Sequence, residues 1–136
     1  MGLRWRNPGQ IVPAKSGIPA NTPDGSLVCL SAVADDTVIL PGGASPTTPL
    51  MGLLWNAAQG SDNLPVEVVI NGIYPGIAGA SITAKDILTS NGTDGTVKPI
   101  GAVVAGTNVA VIGTATCSAN SGERVGILIN PYIMQG

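Results

Sequence analysis

The sequence predicts an all-β fold, a small barrel or β-clip-like sandwich with an extended N-terminal arm. Runs of β-branched residues bounded by turn residues recur along the chain. No window of eleven residues keeps the apolar spacing of a helix without a Gly or Pro interrupting it, and 19 glycines and 11 prolines are spread over 136 residues. A chain of this length fits one domain with a core of its own.

Residues 1–23 are predicted to be the extended arm, because they hold four prolines and few strand signals. The first fifteen residues carry Arg4, Arg6 and Lys15 and no acid, whereas residues 16–84 carry five acids and no base. A basic arm therefore leads into an acidic body, and we expect the arm to become ordered mainly when it docks on another protein.

Residues 24–136 are predicted to form a single β domain. In "PVEVVING" the residues Val66, Val68 and Ile70 share one face, and "RVGILIN" alternates in the same way, so both strands are expected to line one core. Weaker strands are predicted at Leu27–Val33, Thr37–Leu40, Gly52–Trp55, Ile73–Tyr74, Ile87–Thr89, Thr96–Lys98 and Val109–Thr116.

Turn residues separate these strands. "TSNGTDGTV" carries Asn-Gly and Asp-Gly pairs, which accept the positive φ of tight turns, and predicts a hairpin. "SANSGER" predicts a polar turn, and "SITAKDIL" predicts a strand that follows a tight turn. "PGGASPTTPL", residues 41–50, is a loop whose role the sequence leaves open. Trp55 and Tyr74 are expected in the core.

The composition excludes most chemistry. The chain has no histidine, which rules out Ser-His-Asp and Cys-His catalysis and imidazole metal sites. Asp35 and Asp36 are neighbours that would face opposite ways on a strand, so a polar turn explains them better than a catalytic pair. Cys29 and Cys117 are predicted to be small buried side chains, and the sequence leaves open whether they form a disulfide. We predict no enzyme, no metal, no cofactor and no small-molecule substrate.

Partners are limited by charge and hydropathy. Three cations in the arm are too few for nucleic acid. The charge-free segments Thr37–Ser61 and Pro99–Gly122 are interrupted by prolines or polar residues and do not read as membrane spans. The N-terminus shows no signal peptide, so assembly in a cytoplasm is expected. Only 10% of residues are charged, which suggests that other protein covers much of the surface.

"RWR" stands out within the arm. Arginines and large aromatics are the residue types that anchor protein interfaces, because they combine forked hydrogen bonds with a bulky apolar group. We predict that the arm attaches to a partner protein through Arg4, Trp5, Arg6 and Lys15.

"GIAGASITAKDILTSNGTDGTVKPIG" followed by "VIGTATCSANSGERVGILINP" resembles the capsid cement, or head decoration, proteins of tailed bacteriophages. The resemblance covers roughly residues 65–131. The matching positions are Ile82, Thr83, Ala84, Asp86, Leu88, Ile112, Gly113, Ala115, Gly122, Glu123, Val125, Ile127 and Leu128.

The resemblance implies a structural protein of the virion, made in the host cytoplasm. It would be a homotrimer on the outer surface of the head that bridges copies of the major capsid protein and stabilises the shell. Another virion β module, a head-fibre base or a tail component, is the alternative. A β-clip nucleotide hydrolase is a remote one, because its sites need clustered Asp, Arg and Ser side chains and Arg124 is the lone arginine outside the arm. Unrelated secreted or cell-surface modules are the remaining alternative.

Overall fold

The computed structural model describes residues 7–56 and 65–136, and within these ranges the fold is all-β with no helix. Eleven strands form one closed barrel and one six-stranded sheet. In chain order they are β1 Asn7–Pro8, β2 Ile11–Ser16, β3 Leu27–Leu30, β4 Thr37–Ile39, β5 Leu50–Trp55, β6 Pro65–Val69, β7 Gly72–Ile77, β8 Ile87–Ser90, β9 Val97–Pro99, β10 Asn108–Ala115 and β11 Arg124–Gln135.

The barrel has five strands in the order β2-β4-β3-β5-β6 and closes on itself. All its pairs are antiparallel except β2 with β4, which run parallel. β6 alternates from Pro65 to Val68, with Val66 and Val68 buried and Glu67 exposed, but Val69, predicted on the same face as Glu67, is also fully buried. Closure gives every strand two neighbours, so strands of three or four residues can persist where an isolated hairpin would be marginal.

The second sheet has the order β1-β7-β11-β10-β8-β9, and its pairs are antiparallel. The sheet curls, because Ala78, just beyond β7, forms a parallel bridge with Val97 of β9. The Gly79 amide donates to the Val97 carbonyl at 2.8 Å at the same place. The end of β7 and β9 therefore meet although three strands lie between them in the sheet order.

One hydrophobic cluster joins the barrel to the sheet, and a smaller one belongs to the barrel alone. Leu53 packs in the shared cluster, whereas the next residue, Leu54, packs in the barrel cluster; both are fully buried. The two regions are therefore folded around a common core. The largest fully buried members of the shared cluster are Leu27, Leu53, Tyr74, Leu88, Ile112 and Ile127.

The predicted turns are confirmed. β8 and β9 form the expected hairpin, with Ser90 opposite Val97, and Gly95 in its turn has a φ of 81°. "SANSGER" connects β10 to β11, and the Glu123 carboxylate accepts a hydrogen bond from the Asn120 amide at 2.7 Å. Asp36, in the turn between β3 and β4, has a φ of 53°, a conformation that Asp tolerates better than most residues.

The predicted arm requires a correction over its described part. Residues 7–8 and 11–16 are strands, and Ile18 is buried in the barrel cluster. β2 pairs with β6 along Ile11–Lys15, so the barrel would not close without it. Pro13 weakens the strand pattern of β2 in the sequence. The sheet tolerates this proline because Pro13 is exposed and only Lys15 and Ser16 pair with β4 on the other side of β2. The predicted boundary at residue 23 does not separate an arm from the strands, because β1 and β2 lie before it.

Cys29 and Cys117 form no disulfide in this structure. Cys29 and Cys117 are both free, Cys29 buried and Cys117 half-buried. The Cys117 sulfur accepts a hydrogen bond from the Gly126 amide at 3.4 Å. Of the two aromatic residues expected in the core, Tyr74 is fully buried, whereas Trp55 is half-buried and packs against it with ring centroids 5.3 Å apart.

Candidate attachment surfaces

The predicted attachment residues fall in two places. Arg4, Trp5 and Arg6 lie outside the described residues. Lys15 lies in β2 of the barrel, with an exposed side chain, opposite Thr37 on one side and Pro65 on the other. The attachment role of this set remains a prediction.

Lys15 sits beside the acidic turn that joins β3 to β4. Its backbone amide donates to the Asp36 carbonyl at 2.8 Å, and Asp35 precedes Asp36 in the same turn. Val33, at 97% exposure, stands out from this turn. Lys15 is therefore part of a mixed-charge end of the barrel, not of a basic patch within the described chain.

An apolar groove of about 410 Å³ runs between β3 and the loop whose role the sequence leaves open. Backbone hydrogen bonds fix this loop against the six-stranded sheet: the Ser45 amide donates to the Ser90 carbonyl at 3.0 Å, and the Ala110 amide donates to the Pro46 carbonyl at 2.8 Å. The lining residues are Cys29, Leu30, Ala32, Ile39, Pro41, Gly42, Gly43, Pro46, Thr47, Thr48 and Leu50.

The groove offers contact area without catalytic groups. Cys29 is its one titratable lining side chain, and burial raises the pKa of that thiol, which keeps it protonated and poorly nucleophilic. Leu30, at the rim, is 55% exposed. The residues that line the groove are apolar or hydroxyl-bearing apart from Cys29.

Asp24 ties the barrel to the sheet. Its carboxylate accepts hydrogen bonds from the Tyr74 hydroxyl at 2.6 Å and from the Asn56 amide at 2.7 Å. The Arg124 guanidinium donates to the Asp24 backbone carbonyl. Tyr74 belongs to β7 and Arg124 to β11, so a single turn before β3 contacts two strands of the other sheet. Arg124, the arginine outside the predicted arm, thus holds a backbone carbonyl.

The central strand of the sheet presents an unusual outward surface. Along β11 the side chains of Val125, Ile127 and Ile129 are buried in the shared cluster, on the face predicted to be buried. Val66 and Val68 of β6 pack in the barrel cluster instead, so the two strands do not line one core as predicted. The alternate positions Leu128, Asn130 and Tyr132 are exposed and Met134 is half-buried. We call these four residues, Leu128, Asn130, Tyr132 and Met134, the outer β11 face.

Metal-ligating side chains do not cluster in the described residues. Within 7–56 and 65–136 no group of three or more His, Cys, Asp or Glu side chains converges. A polar depression of about 300 Å³ beside the turn at 118–123 includes Glu123, whose carboxylate is already engaged by the Asn120 amide. In the same ranges no helix is long and apolar enough to cross a membrane.

Sequence reasoning missed three of these features, for different reasons. The groove depends on how loop 41–50 packs on β8 and β10, which no local pattern encodes. The Asp24–Tyr74 contact joins residues fifty positions apart. The outer β11 face did carry a signal, because "GILINPYIM" places apolar residues at both alternate sets of positions, whereas a strand with one wet face alternates.

Comparison with known proteins gives a structural likeness but no sequence match. No family model matches the chain, and no curated protein matches it by sequence. Among solved structures, the N base of head fiber gp8.5 in bacteriophage phi29 superposes with a TM-score of 0.63 at 21% sequence identity. The match covers 89% of this chain and 95% of that one. The chain thus shares the all-β fold of that head-fibre base over nearly its whole length.

Proposed function

We propose that this chain is a non-enzymatic structural protein of a bacteriophage virion, attached to the outer surface of the head. The observation that carries the proposal is the fold shared with a phage head-fibre base across 89% of this chain. Two further observations support it: residues 65–131 resemble phage decoration proteins, and the groove and the outer β11 face are uncharged surfaces without catalytic groups.

Within this role, we propose that the chain acts as a cement protein. It would bind the major capsid protein, with Arg4, Trp5, Arg6 and Lys15 as contact residues, and bridge neighbouring subunits. A cement protein works mechanically: many weak contacts repeated over a lattice hold adjacent subunits together, because each bound copy raises the effective concentration of the next contact. No bound metal, cofactor or nucleotide is needed for that work.

A head-fibre base is the second candidate, and the fold likeness favours it directly. A base anchors a projecting fibre at selected positions and has no need to bridge every capsomer. The two candidates therefore differ in copy number and in their effect on the shell. Cement occupies the lattice in hundreds of copies and stabilises it, whereas a fibre base is present in a few dozen copies and leaves shell stability unchanged.

The test adds the purified full-length chain to shells that lack it. Cryo-electron microscopy locates the added density, quantitative mass spectrometry counts the copies, and thermal unfolding of the shell measures stabilisation. Outer-surface binding supports the proposal, and the copy number with the thermal shift separates the two candidates. Failure to bind shells from the phage that encodes the chain would overturn it.

Variants of the predicted contact residues refine this experiment. The triple variant Arg4→Ala, Trp5→Ala, Arg6→Ala and the single variant Lys15→Ala are expected to weaken shell binding at least tenfold and a few-fold, respectively. Lys98→Ala, which removes a cation of β9 in the other sheet, is the matched control and is expected to bind as the unmodified chain does. Turnover of nucleotides with magnesium would favour the hydrolase alternative.

A further inference from the structure

The sequence contains two Asn-Gly pairs, Asn71-Gly72 and Asn91-Gly92, and both lie in the described residues. Asn-Gly is the dipeptide most prone to deamidation, because glycine has no Cβ to keep its backbone nitrogen away from the preceding side chain. Asn71-Gly72 leads into β7, whereas Asn91-Gly92 opens the turn between β8 and β9. The sequence marks both pairs equally, so the fold decides which of them can react.

Asn71 is held by the strands around it. Its side-chain oxygen accepts a hydrogen bond from the Gln10 amide at 2.6 Å, and its backbone carbonyl accepts one from the Gly9 amide at 3.0 Å. Gly72 is paired with β1 on one side and with β11 on the other. The Gly72 nitrogen therefore reaches the Asn71 side chain only if these contacts break, even though Asn71 is exposed to water.

The Asn91-Gly92 pair is held less tightly. The Gly92 amide lies outside the strands and donates to no acceptor in the described part of the chain. The Asn91 side-chain nitrogen donates to the Thr96 hydroxyl at 3.2 Å and packs over Gly79. The side-chain carbonyl of Asn91 accepts no hydrogen bond from the described residues. The nitrogen that would attack and the carbonyl that would be attacked are thus both unengaged.

We propose that Asn91 deamidates spontaneously in the folded chain, that the fold protects Asn71, and that the new carboxylate weakens the β8–β9 turn. The Gly92 nitrogen attacks the side-chain carbonyl carbon of Asn91. The bond from that carbon to the side-chain nitrogen breaks, and this nitrogen leaves as ammonia with the proton lost by Gly92. Water then opens the cyclic imide at either of its C–N bonds, which gives aspartate or isoaspartate. The proposal does not depend on the virion role, since the reaction needs only the chain and water.

Deamidation changes a chain of hydrogen bonds in the turn. The Asn91 side chain donates to the Thr96 hydroxyl, which donates in turn to the Asp94 carboxylate at 2.6 Å. A carboxylate at position 91 cannot donate, and it competes with Asp94 for the same hydroxyl while carrying the same charge. In this turn the Gly95 carbonyl accepts a hydrogen bond from the Leu27 amide of β3 at 2.8 Å. The altered turn is therefore one that contacts the barrel.

The test follows deamidation in the purified full-length chain at physiological temperature and pH. Peptide mapping by mass spectrometry records the mass increase of about 1 Da at each asparagine, once in buffer and once in denaturant. In buffer, Asn91 is expected to deamidate at least about tenfold faster than Asn71, whose hydrogen bonds must first break. In denaturant the two are expected to react at similar rates, because the contacts that protect Asn71 are lost.

Gly92→Ala is the decisive variant. Gly92 has no positive φ, and a Cβ at this position meets no atom within 4 Å, so the variant should fold as the unmodified chain does. Its methyl group hinders the attacking nitrogen and is expected to slow the reaction at Asn91 at least about tenfold. Gly42→Ala, at another glycine with open space around it, is the matched control and should leave the rate unchanged. Asn91→Asp, which imitates the aspartate product, should raise the pKa of Asp94 in an NMR titration.

Four outcomes would contradict the proposal. Equal rates at Asn71 and Asn91 in the folded chain would show that the fold does not choose between them. Reaction of Asn91 in denaturant alone would show that the turn protects it. An unchanged rate in Gly92→Ala would exclude attack by the Gly92 nitrogen. An unchanged pKa of Asp94 in Asn91→Asp would overturn the stated effect on the turn.

Discussion

The barrel and the six-stranded sheet fill their outward positions differently. On the barrel, β6 turns Glu67 outward and β2 turns Lys15 outward, while Val66 and Val68 face inward. On the sheet, β11 turns Leu128 and Tyr132 outward. Charged outward side chains are stably solvated and need no protein partner. The outward side of β11, by contrast, has the residue composition of a protein contact. The two regions share a core but not an outer environment.

The barrel and the sheet also differ in whether each has a hydrophobic cluster of its own. The barrel has a cluster of its own around Val28, Val38 and Leu54, in addition to its share of the joint cluster. Most buried apolar residues of the sheet belong to the joint cluster, none belongs to the barrel cluster, and Val109 and Val111 belong to neither. We therefore expect the sheet to depend on the barrel more strongly than the barrel depends on the sheet.

The largest expected effect tests that asymmetry with adjacent leucines. Leu53→Ala and Leu54→Ala each remove a fully buried side chain and should each lower the free energy of unfolding by about 2–5 kcal/mol. Hydrogen exchange distinguishes them: Leu53→Ala should reduce amide protection in both regions, and Leu54→Ala mainly in the barrel. Equal loss of protection everywhere in both variants would show that the two clusters act as one.

A smaller effect is expected at the contact between the two regions. Tyr74→Phe removes the hydroxyl that donates to Asp24 and should lower the free energy of unfolding by about 1.5–3 kcal/mol, since the acceptor is a carboxylate. Tyr132→Phe, at a residue 41% exposed, is the matched control and should change stability by less than about 0.5 kcal/mol. Denaturant unfolding measures both. Equal effects of the two variants would mean that the Asp24 contact contributes nothing.

The smallest expected effect concerns the pH dependence of stability, compared between the β8–β9 hairpin and the turn that joins β3 to β4. In the β8–β9 hairpin the Thr96 hydroxyl donates to the Asp94 carboxylate at 2.6 Å, and this bond lowers the pKa of Asp94. A lowered folded-state pKa adds stability above the unfolded-state pKa of about 3.9, and that stability is lost as pH falls through the folded-state value. Because Asp94 is exposed, the amount stays below about 0.5 kcal/mol.

Thr96→Val should raise the pKa of Asp94 towards its ordinary value, as an NMR titration of its carboxyl carbon would record. The part of its destabilisation that comes from Asp94 should be present at neutral pH and disappear in acid, whereas the loss of the hydrogen bond that the Asn91 amide donates to the Thr96 hydroxyl at 3.2 Å does not depend on pH. Thr37→Val in the barrel is the control, because the Thr37 hydroxyl donates to the Asp35 backbone carbonyl at 2.9 Å, which does not titrate. A loss of stability with the same pH profile in both variants would contradict the assignment.

Most strands could be predicted from the sequence, because a strand and its turns depend on residues close together in the chain. The Asn-Gly and Asp-Gly pairs specify the β8–β9 hairpin, and alternation specifies β6 and the inward side of β11. β2 escaped prediction because Pro13 weakens the local pattern, and its partner β6 lies about fifty residues further on. A long-range partner compensates for a poor local preference, and local reasoning has no access to that partner.

The attachment surfaces were predicted less well than the strands. The arm residues Arg4, Trp5 and Arg6 were selected by residue type, and that selection still awaits the binding experiment. The groove beside Cys29 arises from two segments that meet only when loop 41–50 packs on β8 and β10. Surface shape depends on this packing, whereas composition reports only that uncharged surface is abundant.

By itself, the sequence determined the all-β class, the positions of the turns and the absence of imidazole chemistry, since each follows from residue type or from neighbours in the chain. Only the tertiary structure decided that five strands close into a barrel, that Asp24 reaches Tyr74, and that Leu128 and Tyr132 remain outside the core. Those results depend on which strands pair and curl together. Strand pairing is a competition among distant segments, decided by the burial and backbone hydrogen bonds of the whole chain.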